Sequence, residues 1–226
     1  VDLRVSPDAA GAVDACAAHL AAVARDAVAA RGSVHLGLSG GSTGAQLCRA
    51  LATQPLDWSC VHLYQVDERV APDGDPARNA KALIHELVAR VAIPLDHVHL
   101  MPVTASDLSV GAAEYAAGLR PLDVAHLGLG ADGHTASWPP DQPAVRTAPR
   151  RVTTTLPFNG TRRMTLTQDG LAEVHHLVWL VCGADKRDPL ARALAGDEAL
   201  PASHALALAT TSTQVVFADR AATTPA

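Results

Sequence analysis

The sequence predicts an α/β protein: a Rossmann-like, mostly parallel sheet with helices on both faces, in one domain spanning residues 1–226. Three observations carry this. Short, almost wholly apolar runs recur at 34–38, 61–66, 98–101, 124–129, 177–181 and 214–217, and strands that apolar are covered on both faces. Helical stretches separate them at 43–52, 77–91, 106–119 and 186–195, an alternation that builds parallel crossovers. A chain of 226 residues, 48% of them hydrophobic, has material for one large core.

Taken in order, the first helix opens at Ser6-Pro7-Asp8, with Ser6 as N-cap and Pro7 in the first turn, and its Ala-rich body reaches Ala30 before Gly32 ends it. The strand at 34–38 runs into SGGST at 39–43, a turn in front of the helix 43–52. The strand at 61–66 breaks into Asp67-Glu68-Arg69, and Arg78-Asn79 stands at the start of the helix 77–91. After the strand 98–101 and the helix 106–119, the strand at 124–129 dissolves into glycines. Residues 141–168, rich in Pro, Thr and Arg, read as a long loop or irregular strands covering a crevice. The strand 177–181, the helix 186–195 and the strand 214–217 complete the order.

Charge and cysteine usage exclude several function classes. The net charge of −5, without Lys/Arg runs, argues against nucleic acid or an anionic membrane as a partner. No apolar stretch reaches the length of a membrane span and the start does not resemble a signal peptide, so the expectation is a soluble, cytoplasmic protein. The chain opens at Val1 rather than Met, and a few native residues are expected before it. Cys16, Cys48, Cys60 and Cys182 are widely spaced and read as free thiols. The histidine pairs His97/His99 and His175/His176 flank apolar runs and read as core-edge residues, so no metal site is expected.

In a parallel sheet, ligands bind beyond the carboxyl ends of the strands, which makes the polar insertions there informative. SGGST (Gly40, Gly41, Ser42, Thr43) offers backbone N–H groups and hydroxyls to an anion, and equally reads as a plain capped turn. Asp67, Glu68 and Arg69 are three charges oddly placed at a strand end unless they face a polar site, and they equally read as a strand end reaching solvent. The stretch AHLGLGADGHTASWPP presents Asp132 and His134 on a glycine loop, a geometry for acid/base work. It contains G-x-G-x-x-G, yet Trp138-Pro139-Pro140 and Pro143 stop the required helix, and 148–168 holds no acidic residue for a ribose. Arg163 and Lys186 have the chemistry of phosphate ligands, the one a fork and the other a point charge.

SGGST, VDER, GLGADGHTAS, RMTLT and GADK, in this order and over residues 6–222, resemble the 6-phosphogluconolactonases, within the wider glucosamine-6-phosphate isomerase/lactonase superfamily. The resemblance implies metal-free, cofactor-free hydrolysis of 6-phospho-D-glucono-1,5-lactone to 6-phosphogluconate, the second step of the pentose phosphate pathway. It implies His134 as general base, Lys186, Arg163 and Arg69 as phosphate ligands, and SGGST as the ligand-contacting loop. Asp132 would orient His134. The partner implied is a small sugar-phosphate lactone; oligomeric state stays open between monomer and weak dimer.

Three departures stand out. Gly44 replaces the usual Pro after GGST, Trp138-Pro139 replaces the common Leu-Phe, and Arg78 stands where Ser usually precedes Asn79, adding a possible phosphate contact. An amino-sugar-phosphate isomerase or deaminase would use a carboxylate five residues after the His, where this chain has Pro139. A non-catalytic sugar-phosphate sensor is the other alternative, disfavoured by retention of both Asp132 and His134.

Overall fold

The computed structural model describes residues 1–208 and 214–223. Along the chain run β1 (Asp2–Ser6), α1 (Ala9–Arg31), β2 (Val34–Leu38), α2 (Gly41–Leu51), β3 (Val61–Gln65), β4 (Asp67–Arg69) and α3 (Asn79–Glu86). Then come β5 (Val98–His99), α4 (Leu108–Gly118), β6 (Val124–Leu127), α5 (Pro143–Arg146), β7 (Val152–Thr154), β8 (Arg163–Leu166) and α6 (Gln168–Ala172). The last elements are β9 (His176–Val181), α7 (Arg187–Leu194), α8 (Pro201–Leu206), β10 (Val215–Asp219) and α9 (Arg220–Thr223).

Seven strands form one wholly parallel sheet in the order β1-β10-β9-β6-β2-β3-β5. A buried core lies on each face. Leu20, Leu47, Leu83 and Phe217 belong to the face under α1, α2 and α3, and Tyr115, Leu127, Trp179 and Leu190 to the face under α4 and α7. The doubly covered sheet expected from the apolar strands is therefore present. Among the described residues, no helix is long and apolar enough to cross a membrane.

Where boundaries differ from expectation, a tertiary contact decides. Ser6 does not cap α1, because Asp2–Ser6 pairs with β10 as an edge strand; Asp8 caps the helix instead, accepting from the Gly11 N–H at 2.8 Å. Gly32 ends α1 as expected, with φ 80° and its N–H on the Val28 carbonyl. The helix expected at 77–91 is regular only over Asn79–Glu86, followed by a 3₁₀ turn at Val88–Arg90. Its start is set by Glu68, whose carboxylate accepts from the Asn79 and Ala80 N–H groups at 2.7 and 2.8 Å. The strand expected at 98–101 stops at His99, and the Met101 N–H goes to the Gln65 side chain instead, at 2.8 Å.

Of the two readings of residues 141–168, a long loop or irregular strands, the structure has strands. The segment contains α5 and two strands, and β8 lies between β4 and β7 in a second, antiparallel sheet of order β4-β8-β7. Its register sets Arg69 opposite Arg163 and Asp67 opposite Thr165. This small sheet brings DER and RMTLT together at the carboxyl end of the main sheet.

Candidate active site

A cleft of about 210 Å³ opens at the carboxyl ends of the central strands. Gly40, Gly41, Ser42, Thr43, Asp67, Arg69, His134, Arg163 and Lys186 all line it, as do Asn79 and His126. The insertions after β2, β3 and β6 thus converge on one crevice, joined by β8 and the turn after β9.

His134 is held from behind. Its Nδ1 lies 2.5 Å from Asp132 Oδ1, and its backbone N–H donates to the same oxygen at 3.2 Å. The hydrogen bond from His134 holds the Asp132 carboxyl down at about 2, well below its ordinary 3.8. An ionised Asp132 accepts a hydrogen bond and so keeps the ring proton on Nδ1, which leaves Nε2 as the unprotonated nitrogen of the neutral imidazole. The pair fits because residue 130 is glycine: a Cβ there would lie 2.0 Å from His134 Nδ1 and 2.4 Å from Asp132 Oδ1. Asp132 itself is not a cleft-lining residue. Phe158, which sequence reasoning missed, packs edge-on against the His134 ring at 5.1 Å.

The cations are gathered by different means. Arg163 is 6% exposed, its guanidinium lies 4.8 Å from the Phe158 ring centre, and its Nε has no hydrogen-bond partner among the described residues. Burial lowers its pKa while nearby Asp67 works against that shift. Arg69 is aimed by the Ala77 carbonyl at 2.6 Å and Asn79 Oδ1 at 3.0 Å. Asn79 also donates to the Asp67 carbonyl at 2.9 Å, and only glycine fits opposite it, since a Cβ on Gly40 would fall 2.0 Å from Asn79 Oδ1. Lys186 ends a 3₁₀ turn, Ala184–Lys186, paired with exposed Asp185 at 2.8 Å. The N-terminus of α2 adds backbone donors, since its N-cap Gly40 has no side chain with which to satisfy them.

Asp67 is 5% exposed and accepts from the Ser137 hydroxyl at 2.6 Å. Burial raises its pKa, opposed by that hydrogen bond and by Arg163. Arg78 departs from expectation. It is buried but turned from the cleft, its Nε 3.1 Å from Glu68 Oε2 and its Nη1 on the Ala71 carbonyl and Asp73 at 3.0 Å each. Glu68, 0% exposed, needs a counter-charge because it caps α3 from inside the protein. Arg78 meets that need. Among the described residues, no cluster of three His, Cys, Asp or Glu could hold a metal ion.

An imidazole backed by a carboxylate, beside several cationic side chains in a cleft at the strand ends of a doubly wound sheet, is the arrangement of an α/β enzyme with groups able to exchange a proton and to hold an anion. The chain belongs to the glucosamine-6-phosphate isomerases/6-phosphogluconolactonase family, whose model matches residues 7–216. It is 35% identical to the 6-phosphogluconolactonase of Mycobacterium leprae, covering 92% of this chain and 93% of that one. With the 6-phosphogluconolactonase of Rhizobium meliloti it shares 36% identity, over 85% and 88% of the two chains. Among solved structures, it resembles a 6-phosphogluconolactonase from Shewanella baltica at TM-score 0.83 and 26% identity, covering 97% of each chain. The one from Thermotoga maritima shares the fold, at TM-score 0.87 and 24% identity over 96% and 99% of the chains.

Proposed function

We propose that this chain hydrolyses 6-phospho-D-glucono-1,5-lactone to 6-phosphogluconate with His134 as general base. The observation that carries the residue assignment is the Asp132–His134 pair at 2.5 Å, placed in a cleft that also holds the buried guanidinium of Arg163. The curated relatives support the reaction.

The phosphate is held by Arg163, Arg69, Lys186 and the N-terminus of α2, leaving the lactone carbonyl toward His134. Nε2 takes a proton from a water as its oxygen bonds to C1, and the carbonyl oxygen becomes an oxyanion. Backbone N–H groups of the glycine loops are the donors available to it. The tetrahedral centre collapses, the bond from C1 to the ring oxygen breaks, and the imidazolium returns its proton to that oxygen as it becomes the C5 hydroxyl. Asp132 stabilises the imidazolium between the two transfers. A lactone is an activated ester, so no covalent nucleophile is needed.

Pro139 occupies the position from which an isomerase of this superfamily would use a carboxylate, and it cannot exchange a proton. The test is acid release from freshly generated lactone above the spontaneous rate, with chelator present, for wild type and His134→Ala. Wild-type turnover that falls by about 100-fold or more in the variant is expected. Equal turnover by both proteins removes His134 from the reaction, and loss of wild-type turnover to chelator overturns the metal-free mechanism.

A further inference from the structure

The cleft's cations leave one of its polar residues unaccounted for. His126, on β6, is 1% exposed, lines the cleft, and has no hydrogen-bond partner for either ring nitrogen among the described residues. Buried polar groups are ordinarily paired, and leaving one unpaired destabilises the fold. Beyond β2, at the neighbouring strand's end, Ser39 also lines the cleft, and its hydroxyl is buried and unpartnered in the same way. Two adjacent orphans at the floor of a binding cleft point to a ligand rather than to a packing fault.

The chemistry of that ligand follows from the ring's charge. Burial alone pushes the His126 pKa down to about 4, with no charged neighbour contributing. At neutral pH it is an uncharged imidazole with one donor and one acceptor, which matches a hydroxyl group that also donates and accepts. A phosphate, acceptor on every oxygen, would leave the acceptor nitrogen unmet. Gly44 in α2 packs against both residues: an added Cβ would stand in ordinary contact with His126 Cε1, at 3.8 Å, and would collide with the Ser39 carbonyl oxygen, at 2.6 Å. Cations for the phosphate and an uncharged floor for the sugar divide the cleft by function.

We propose that His126 is a specificity residue that reads one ring hydroxyl of the substrate, turning about its Cβ–Cγ bond to present a nitrogen to it. The proposal deepens the lactonase reading and rests on it. The test compares 6-phosphogluconolactone with the lactones lacking the C2, C3 or C4 hydroxyl, in wild type, His126→Leu and His126→Gln. Wild type should prefer the parent to one deoxy lactone by about 30-fold or more in kcat/KM, as sites built around a hydroxyl do. His126→Leu should fold, with an equal or higher Tm, while that preference falls to about threefold and KM for the parent rises about tenfold. His126→Gln, which keeps a donor and an acceptor, should recover part of the preference.

Wild type with no preference among the four lactones, or a preference undiminished in His126→Leu, overturns the proposal. Calorimetric binding of 6-phosphogluconate separates this from failure of the lactonase reading. Should wild type turn over none of the lactones, that reading fails, and the His126 assignment then stands only if His126→Leu weakens 6-phosphogluconate binding about tenfold. Equal binding by the two proteins, or binding by neither, overturns it.

Discussion

Replacing Asp132 by Asn keeps the shape of the residue behind His134 and removes its charge. The lowered Asp132 carboxyl, from 3.8 to about 2, measures how strongly the ionised form is favoured by its surroundings. At about 1.4 kcal/mol per tenfold, that drop amounts to about 2.4 kcal/mol. Asp132 is 42% exposed at the side chain, so solvent screening reduces the figure to about 1 kcal/mol in the resting protein. The demand is larger during the reaction, when His134 carries a full positive charge at 2.5 Å. A loss of about 1.4 to 2.7 kcal/mol in the transition state is expected, or about 10- to 100-fold in kcat. KM should stay within about threefold, because Asp132 does not line the cleft. The assay is initial-rate acid release across a pH series. The sign for stability also follows: a depressed carboxyl contributes stability above 3.8 that is lost as pH falls toward 2, so Asp132→Asn should be less acid-sensitive there. A variant whose kcat lies within twofold of wild type would refute the claim that Asp132 orients and charges the base.

Gly130→Ala places a methyl 2.0 Å from His134 Nδ1, so kcat should fall at least as far as in Asp132→Asn, with circular dichroism unchanged; full activity would show that the loop can carry a side chain. Arg163→Ala should raise KM by more than about tenfold and weaken competition by inorganic phosphate, whereas unaltered KM would take Arg163 out of the phosphate site. Arg78→Met should lower stability by about 3 kcal/mol in chemical denaturation, by leaving the buried Glu68 carboxylate without its counter-charge; an unchanged midpoint would mean that the hydrogen bonds from Gln65 and the Arg69, Asn79 and Ala80 N–H groups suffice for Glu68. His126 titrates at 6.5 when unfolded and at about 4 when folded, so its contribution is intact above 6.5 and lost as pH falls toward 4. His126→Leu should therefore flatten the loss of stability across that window by about 1.4 kcal/mol per pH unit, and an unchanged slope would assign the loss to other groups.

The parallel sheet was legible because burial on both faces writes itself into a strand as an uninterrupted apolar run, as in VHLGL and HLVWLV. Edge strand β1 was not, since DLRVS has one open side and alternates with polar residues, resembling the approach to a helix. The chemistry was legible where backbone and side chain act within one loop. Asp132 reaches His134 across two residues, and the glycines between and beside them are the visible mark of the close approach. Phe158 and His126 gave no such mark: an aromatic residue in a Pro/Thr-rich segment and a histidine in an apolar strand are ordinary until the fold sets one against His134 and the other beneath α2.

Asp67, Glu68 and Arg69 show why three adjacent charges were read as one signal when they are two. They form a strand, β4, and strand geometry sends alternate side chains to opposite faces. Asp67 and Arg69 therefore reach the cleft, while Glu68 turns inward to cap α3 and bind Arg78. Arg78 was placed with the substrate because it neighbours Asn79 in sequence, but the same alternation that separates Glu68 from the cleft draws Arg78 away with it. The buried Glu68–Arg78 pair fixes where α3 begins, α3 sets Asn79, and Asn79 holds the Arg69 guanidinium at 3.0 Å. A charge pair outside the cleft thus determines the aim of a cation inside it, and substitution at either member should act on ligand affinity only through Asn79 and Arg69.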